Sequence, residues 1–219
     1  VRILRRLLQP LVLRMPSLFS WTTVKGREHP RSLRTPAIFI SNHVNHYDVL
    51  YIIRALPLRC RKLAIAAAAD ALYEFRPGEG LAKWLSVRLR GFATTVLFHT
   101  FPFSRGVHVK KSFEYMGELL DNGWNVLLFP EGQLTMTGEM NPFKSGIGLL
   151  TQAMRVPVVP LRLDGLFPLV RVYSGNRAGW LPRRFCHVCV IFGRPMEIDE
   201  RVDPDEVAKK CENTVRSLA

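Results

Sequence analysis

The segment Ser41-Asn42-His43-Val44-Asn45-His46-Tyr47-Asp48 sets an imidazole and a carboxylate five residues apart. A carboxylate on one ring nitrogen fixes the tautomer and raises basicity, leaving the other nitrogen to take a proton. In a regular helix this separation puts His43 and Asp48 off a common face, so they meet only if His43 stands in a turn ahead of the helix. Ala37–Ile40 before the segment reads as a strand and Tyr47–Ala55 after it as an apolar helix, so the sequence permits that turn. Strand-to-helix loops at the carboxyl ends of strands are where α/β folds carry chemistry. With His43 as base and Asp48 as its orienting partner, the attacking hydroxyl can belong to a substrate, and no serine or cysteine nucleophile is required. A surface polar pair or a helix cap is the other reading of these residues.

Three further segments bear on the same chemistry. Phe129-Pro130-Glu131-Gly132 follows the apolar run Asn125–Phe129 and puts a carboxylate and a pliant backbone at a sheet edge, before Phe143-Lys144-Ser145-Gly146. An ordinary Pro/Gly turn is the alternative there. Phe101-Pro102-Phe103-Ser104-Arg105-Gly106 precedes a helical period. Arg105 beside the free N–H groups of a helix start could clamp a phosphate, or it could face solvent. Val156-Pro157-Val158-Val159-Pro160 reads as a strand that shapes a pocket wall.

The elements that must position these residues alternate in type. Strand-like runs fall at Lys62–Ala67, Val156–Leu163 and His187–Phe192, and Thr94–Phe98 is β-branched and apolar in the same manner. Helical periodicity marks Asp70–Phe75, Leu81–Arg90, Val107–Leu120 and Ser145–Met154, and Asp203–Leu218 closes the chain with Pro204 suited to a first turn. This alternation predicts an α/β fold with a mostly parallel or mixed central sheet flanked by helices. Val1–Pro10 fits an amphipathic helix, with Leu4, Leu7, Leu8 and Leu11 on one side and Arg2, Arg5, Arg6 and Gln9 on the other. Two arrangements suit it: an interfacial membrane helix, or a helix packed on the domain's own core with a solvated basic face. Residues 1–20 are accordingly set apart as a membrane-associating helix and 21–219 as the catalytic domain.

With 219 residues, 47% of them hydrophobic, the chain can bury a full core. No uninterrupted apolar run reaches the roughly 18 residues a bilayer span needs. The formal net charge is +13, and residues 1–35 hold eight lysines and arginines against Glu28 alone. Such a surface attracts polyanions, and anionic lipid and nucleic acid both qualify. No RNA-binding aromatic signature, finger spacing or recognition-helix motif supports nucleic acid. A hydrolase using the same His–Asp pair on water is a second rival, although no G-x-S-x-G elbow is present. Cys186-x-x-Cys189 has no second pair and lies in a strand-like run, so it reads as packed free thiols with no metal, and a reducing compartment follows.

The order N-H-x-x-x-x-D, aromatic-plus-Arg, F-P-E-G and V-P-V-V-P resembles the four blocks of the glycerolipid acyltransferase family, the 1-acylglycerol-3-phosphate O-acyltransferases and their relatives. The likeness covers about residues 20 to 165. Phe129 to Leu163 also resembles acyltransferase portions fused to acyl-activating ligases in some bacteria, and an opening at Val1 fits an excised domain. The resemblance implies an O-acyltransferase with a His43–Asp48 dyad. Asn42 would belong to the same substrate-binding loop, Arg105 would grip the acceptor's phosphate, and Glu131 and Gly132 would help form the acceptor site, with Lys144 a further candidate. It implies an acyl-CoA or acyl-carrier-protein thioester as co-substrate and no other cofactor. A lysophospholipid or related acceptor and an anionic membrane surface on the cytoplasmic face would be its partners, with no nucleic acid. One departure bears on the acceptor: the family often continues F-P-E-G-T-R-S, whereas Gln133, Leu134 and Thr135 stand here. The missing Arg removes a cation that could hold a phosphate, so another lipid alcohol is the alternative acceptor.

Overall fold

The computed structural model describes residues 2–45, 47–68, 85, 92, 94–104, 109–167 and 185–218. Helix α1 (Arg2–Val12) leads through a 3₁₀ turn at Met15–Leu18 to strand β1 (Ser20–Lys25) and the short helix α2 (Glu28–Ser32). Strand β2 (Ile38–Ser41), helix α3 (Asp48–Ala55), strand β3 (Leu63–Ala68) and strand β4 (Thr100–Phe103) follow. Helix α4 (Val109–Asp121) precedes strand β5 (Asn125–Leu128), and helix α5 (Gly146–Met154) precedes strand β6 (Val158–Asp164). Strand β7 (Cys186–Phe192) and helix α6 (Pro204–Arg216) complete the order.

The seven strands form one sheet in the order β1-β7-β6-β2-β5-β3-β4. From β6 to β4 all neighbours are parallel; β7 runs antiparallel to β6, and β1 is parallel to β7. The sheet is therefore mixed and mostly parallel, as the alternation of runs implied. Every residue of β2 and β5 is buried, the mark of strands covered on both faces. Phe39, Leu161, Val188 and Val190 meet Tyr51 and Ile53 of α3 on one face. Ile38, Ile40, Val126 and Val158 meet Met116 of α4, Ile147 of α5 and Cys211 of α6 on the other.

Several elements differ from the sequence reading. Residues 94–98 are helical, and the strand is Thr100–Phe103, which was given no strand in the sequence reading. Pro102 is tolerated because β4 is the sheet's edge and pairs only with β3. Helix α1 continues through Pro10 to Val12. Strand β1 and helix α2 were not anticipated, and the helices expected near Asp70–Phe75 and Leu81–Arg90 lie outside the described residues, save for Leu85. All four cysteines are free thiols.

Helix α5 owes its seat to a glycine. A Cβ on Gly148 would lie 1.9 Å from the Pro204 carbonyl oxygen at the start of α6. Gly148→Ala is expected to push α6 off α5 and cost about 1–3 kcal/mol, the range for overpacked cores, measurable by chemical denaturation. A melt equal to wild type would show that the contact relaxes freely.

Candidate active site

Strand β2 hands its chain to α3 on one face of the sheet, while β5 hands its chain to α5 on the opposite face. The two loops part at the carboxyl ends of adjacent strands, the position where open α/β sheets bind ligands. His43 stands in the first loop and Glu131 in the second.

Helix α3 begins at Asp48, so His43 lies in the preceding turn, where the two side chains can meet. Asp48 Oδ2 sits 2.8 Å from His43 Nδ1. The same oxygen accepts from the Val44 N–H at 2.7 Å, and the Asn45 N–H reaches Oδ1 and Oδ2 at 3.0 and 3.1 Å. Asp48 is fully buried, whereas the His43 side chain keeps 21% of its surface exposed. A carboxylate in the first turn of α3 also lies at the positive end of the helix dipole. The turn is shaped by Asn45, whose Oδ1 accepts from the Tyr47 N–H at 2.7 Å while its amide donates to the Leu166 carbonyl at 3.2 Å. In the neutral ring a donating Nδ1 leaves Nε2 with a lone pair, and among the described residues Nε2 has no hydrogen-bond partner. Phe129 stacks on the imidazole with centroids 4.1 Å apart and 20° between planes. Asp48 thus fixes the ring's edge and Phe129 its face.

Glu131 holds the backbone of that loop. It is 1% exposed. Its Oε1 accepts from the His43 N–H and its Oε2 from the Asn141 N–H, each at 2.7 Å. The His43 carbonyl in turn accepts from the Thr135 N–H at 2.9 Å. Gly132, at φ +71°, takes the left-handed conformation that lets the chain turn back just after Glu131. Asn42 exchanges two hydrogen bonds with the Leu163 backbone, 2.9 Å as donor and 2.8 Å as acceptor. Its amide extends the β2–β6 ladder by one rung and is buried, which makes it a splice between strand and loop. Lys144 has an exposed side chain, and its N–H donates to the Pro130 carbonyl at 3.0 Å. Arg105 lies outside the described residues. Phe129, Thr135 and Asn141 went unassigned in the sequence. Asn45 carried a readable signal, an Asn two residues before Tyr47 at the mouth of an apolar helix. Among the described residues no group of His, Cys, Asp and Glu could hold a metal ion.

Burial lifts the Glu131 carboxyl above the usual carboxylate range, and the two backbone N–H donors pull partly against that rise. Since the folded value lies above the unfolded one, ionising Glu131 counts against folding, and its contribution to stability falls as pH rises through that window. Its bracing task has the opposite sign, because a protonated carboxyl loses one of its two N–H acceptors on acidification. Glu131→Gln is expected to erase the part of the acid limb due to Glu131. It should also lower the rate about tenfold on the plateau above that limb, the equivalent of one hydrogen bond of about 1–1.5 kcal/mol. A pH–rate profile of the variant parallel to that of wild type would contradict this.

The sequence profile of the acyltransferase family matches residues 22–164, a span that contains both loops. The chain belongs to the acyltransferase family. Among curated relatives, mouse 1-acyl-sn-glycerol-3-phosphate acyltransferase alpha is 27% identical to this chain over 200 residues, covering 89% of this chain and 61% of the mouse protein. The human protein of the same name is 32% identical over 144 residues, 63% of this chain and 44% of its own. The chain therefore spans less than two thirds of the length of these relatives. The crystal structure of PlsC, the 1-acyl-sn-glycerophosphate acyltransferase of Thermotoga maritima, superposes with a TM-score of 0.66 at 19% identity, covering 98% of this chain and 80% of that one. That likeness is one of fold.

Proposed function

We propose that the protein transfers a fatty acyl group from an acyl thioester to the hydroxyl of a lysophosphatidate-type or related lipid acceptor, with His43 as general base. The observation that carries this reading is the His43–Asp48 pair on a partly exposed ring, with Nε2 unpartnered among the described residues, at the carboxyl edge of the sheet in a chain of this family. In this reading His43 Nε2 removes the acceptor's hydroxyl proton as that oxygen attacks the thioester carbonyl. The tetrahedral intermediate collapses, the C–S bond breaks, and the imidazolium returns the proton to the departing thiolate. Asp48 stabilises the imidazolium while it exists, and no bound cofactor takes part. Glu131 and Asn42 act through the backbone, holding His43 in place. Arg105 and Lys144 are the cations assigned to an acceptor phosphate. Acyl-CoA and acyl carrier protein both fit as donors to a basic surface.

Leu134, half-buried where the family pattern has Arg, favours a second acceptor class, a lipid alcohol without a phosphomonoester. Incubation with a labelled acyl thioester and a panel of lysophospholipids and other lipid alcohols, read by mass spectrometry, tests both. Acylated lysophosphatidate supports the first reading and an acylated neutral alcohol the second. Free fatty acid released at the same rate with and without acceptor would replace transfer by hydrolysis. No helix among the described residues is long and apolar enough to cross a membrane, and we place the enzyme on the cytoplasmic face of an anionic bilayer through α1.

A further inference from the structure

Helix α1 meets the domain with its polar side inward. Arg5 Nε and Gln9 Nε2 both donate to the Leu97 carbonyl, at 3.0 and 2.9 Å, and the Arg5 guanidinium lies 5.9 Å from the centre of the Trp124 ring. Leu7 and Leu11 are left facing out, 70% and 64% exposed. Exposure of large apolar groups then continues through Met15 and Leu18 to Trp21, with Leu18 at 69% and Trp21 at 64%. The Trp21 ring meets Phe185 edge-on with centroids 4.7 Å apart, and Phe185 is itself 55% exposed. Single exposed apolar residues are ordinary, but two aromatic rings packed on each other and each more than half exposed mark a surface that something covers.

Strand register fixes where the far end of this run lies. Ser20 pairs with Cys186 at the start of β1 and β7, and β7 runs antiparallel to β6, with Cys189 opposite Asp164 at the β6 carboxyl end. Trp21 and Phe185 therefore sit at the end of the sheet from which β2, β5 and β6 emit their loops, the end that holds His43. The side chain of Ser20, next to Trp21, turns to the core and bonds the Tyr51 hydroxyl of α3 at 2.7 Å, one turn below Asp48. Trp21 shares the opposite pleat with exposed Lys25 on β1, an edge strand of the sheet.

We propose that Trp21 and Phe185 form a bilayer contact at the sheet edge, beyond α1, that turns the catalytic end of the sheet toward the lipid. The occupant is an anionic bilayer on grounds of charge. Residues 1–35 hold eight lysines and arginines against one glutamate, and Arg14 and Lys25 are exposed beside the apolar run. A tryptophan at its margin suits the headgroup boundary, where its ring is apolar and its N–H stays wet. The inference rests on the lipid-acceptor reading above, and vesicle binding is measured apart from acyl transfer so that either can fail alone.

The test uses the full chain with phosphatidylcholine/phosphatidylglycerol vesicles and with pure phosphatidylcholine. Trp21→Asp and Phe185→Asp are each expected to weaken vesicle binding about tenfold or more, since each puts a charge where the proposal seats an exposed aromatic ring in the lipid. Transfer to a long-chain acceptor in vesicles should fall in step, while transfer to a dispersed short-chain acceptor stays at the wild-type rate. Brominated lipids should quench tryptophan emission in wild type, and Trp21→Phe, which keeps an aromatic ring, should lose that component. Unchanged binding by both Asp variants, or equal quenching in Trp21→Phe, overturns the proposal. So does self-association that the Asp variants abolish without any vesicle affinity, which would assign the surface to a second copy of the chain. If an Asp variant fails to fold, the quenching result decides.

Discussion

Purified His43→Ala is expected to lose acyl transfer by roughly a hundred- to ten-thousand-fold, the usual contribution of a positioned general base. The loss should fall on kcat, with the thioester's KM little changed, because among the described residues the ring is bonded to Asp48 and stacked on Phe129. The loop itself has other supports: its N–H is held by Glu131 and its carbonyl by the Thr135 N–H. Asp48 loses one donor of three but keeps the Val44 and Asn45 N–H groups. The cost in stability should therefore stay near that of one charge-assisted hydrogen bond, about 1.5–3 kcal/mol, too little to unfold a domain of this size at room temperature. His43→Gln separates the two effects, since an amide can still donate to Asp48 but is no base at neutral pH. It should be as inactive as the Ala variant and more stable. Wild-type turnover by either variant, at matched folded fraction in thermal melts, would remove His43 from the chemistry.

Much of this was legible before any coordinates. The buried strands β2 and β5 announce themselves as short apolar runs bounded by polar loops, because a parallel strand covered on both faces has no polar side to alternate with. The pairing of His43 with Asp48 was legible for a related reason: a polar cluster between an apolar strand and an apolar helix can lie only in the connecting turn. Other parts were hidden by the kind of interaction involved. Nothing in the letters F-P-E-G says that Glu131 spends both oxygens on backbone N–H groups, because every residue but proline offers the same donor. Asn42 is equally mute, since its amide imitates a peptide group of β6 some 120 residues away, at Leu163. Strand β1 escaped because an edge strand with one solvent face alternates Ser20, Thr22 and Val24 with Trp21, Thr23 and Lys25, a weak apolar signal. The amphipathic pattern of α1 did show two sides, but periodicity cannot say which side faces the protein. The carbonyl of Leu97, offered to Arg5 and Gln9, decides it.

Asp48→Ala should do more damage than its distance from any substrate suggests. The carboxylate collects three donors in a buried turn: the imidazole and the backbone N–H groups of Val44 and Asn45. Removing it orphans two buried N–H groups, each worth about 1–3 kcal/mol, and deletes an anion at the start of α3, worth up to about 1 kcal/mol more. The expected loss is on the order of 3–5 kcal/mol by chemical denaturation, with activity falling further than the folded fraction explains. Asp48→Asn sharpens the argument because it changes one atom. Whichever way the amide turns, one oxygen must serve donors that two served before, and the NH₂ faces a backbone N–H group, that of Asn45 or that of Val44. The neutral side chain also no longer stabilises an imidazolium. With a charge-assisted bond worth about 1.5–3 kcal/mol, that deficit in the transition state corresponds to roughly a ten- to hundredfold lower kcat. Stability should recover part of what Ala loses while activity recovers little. If Asn restored turnover in proportion to stability, Asp48 would be a brace for the turn alone, and the charge on His43 during transfer would need another counterion.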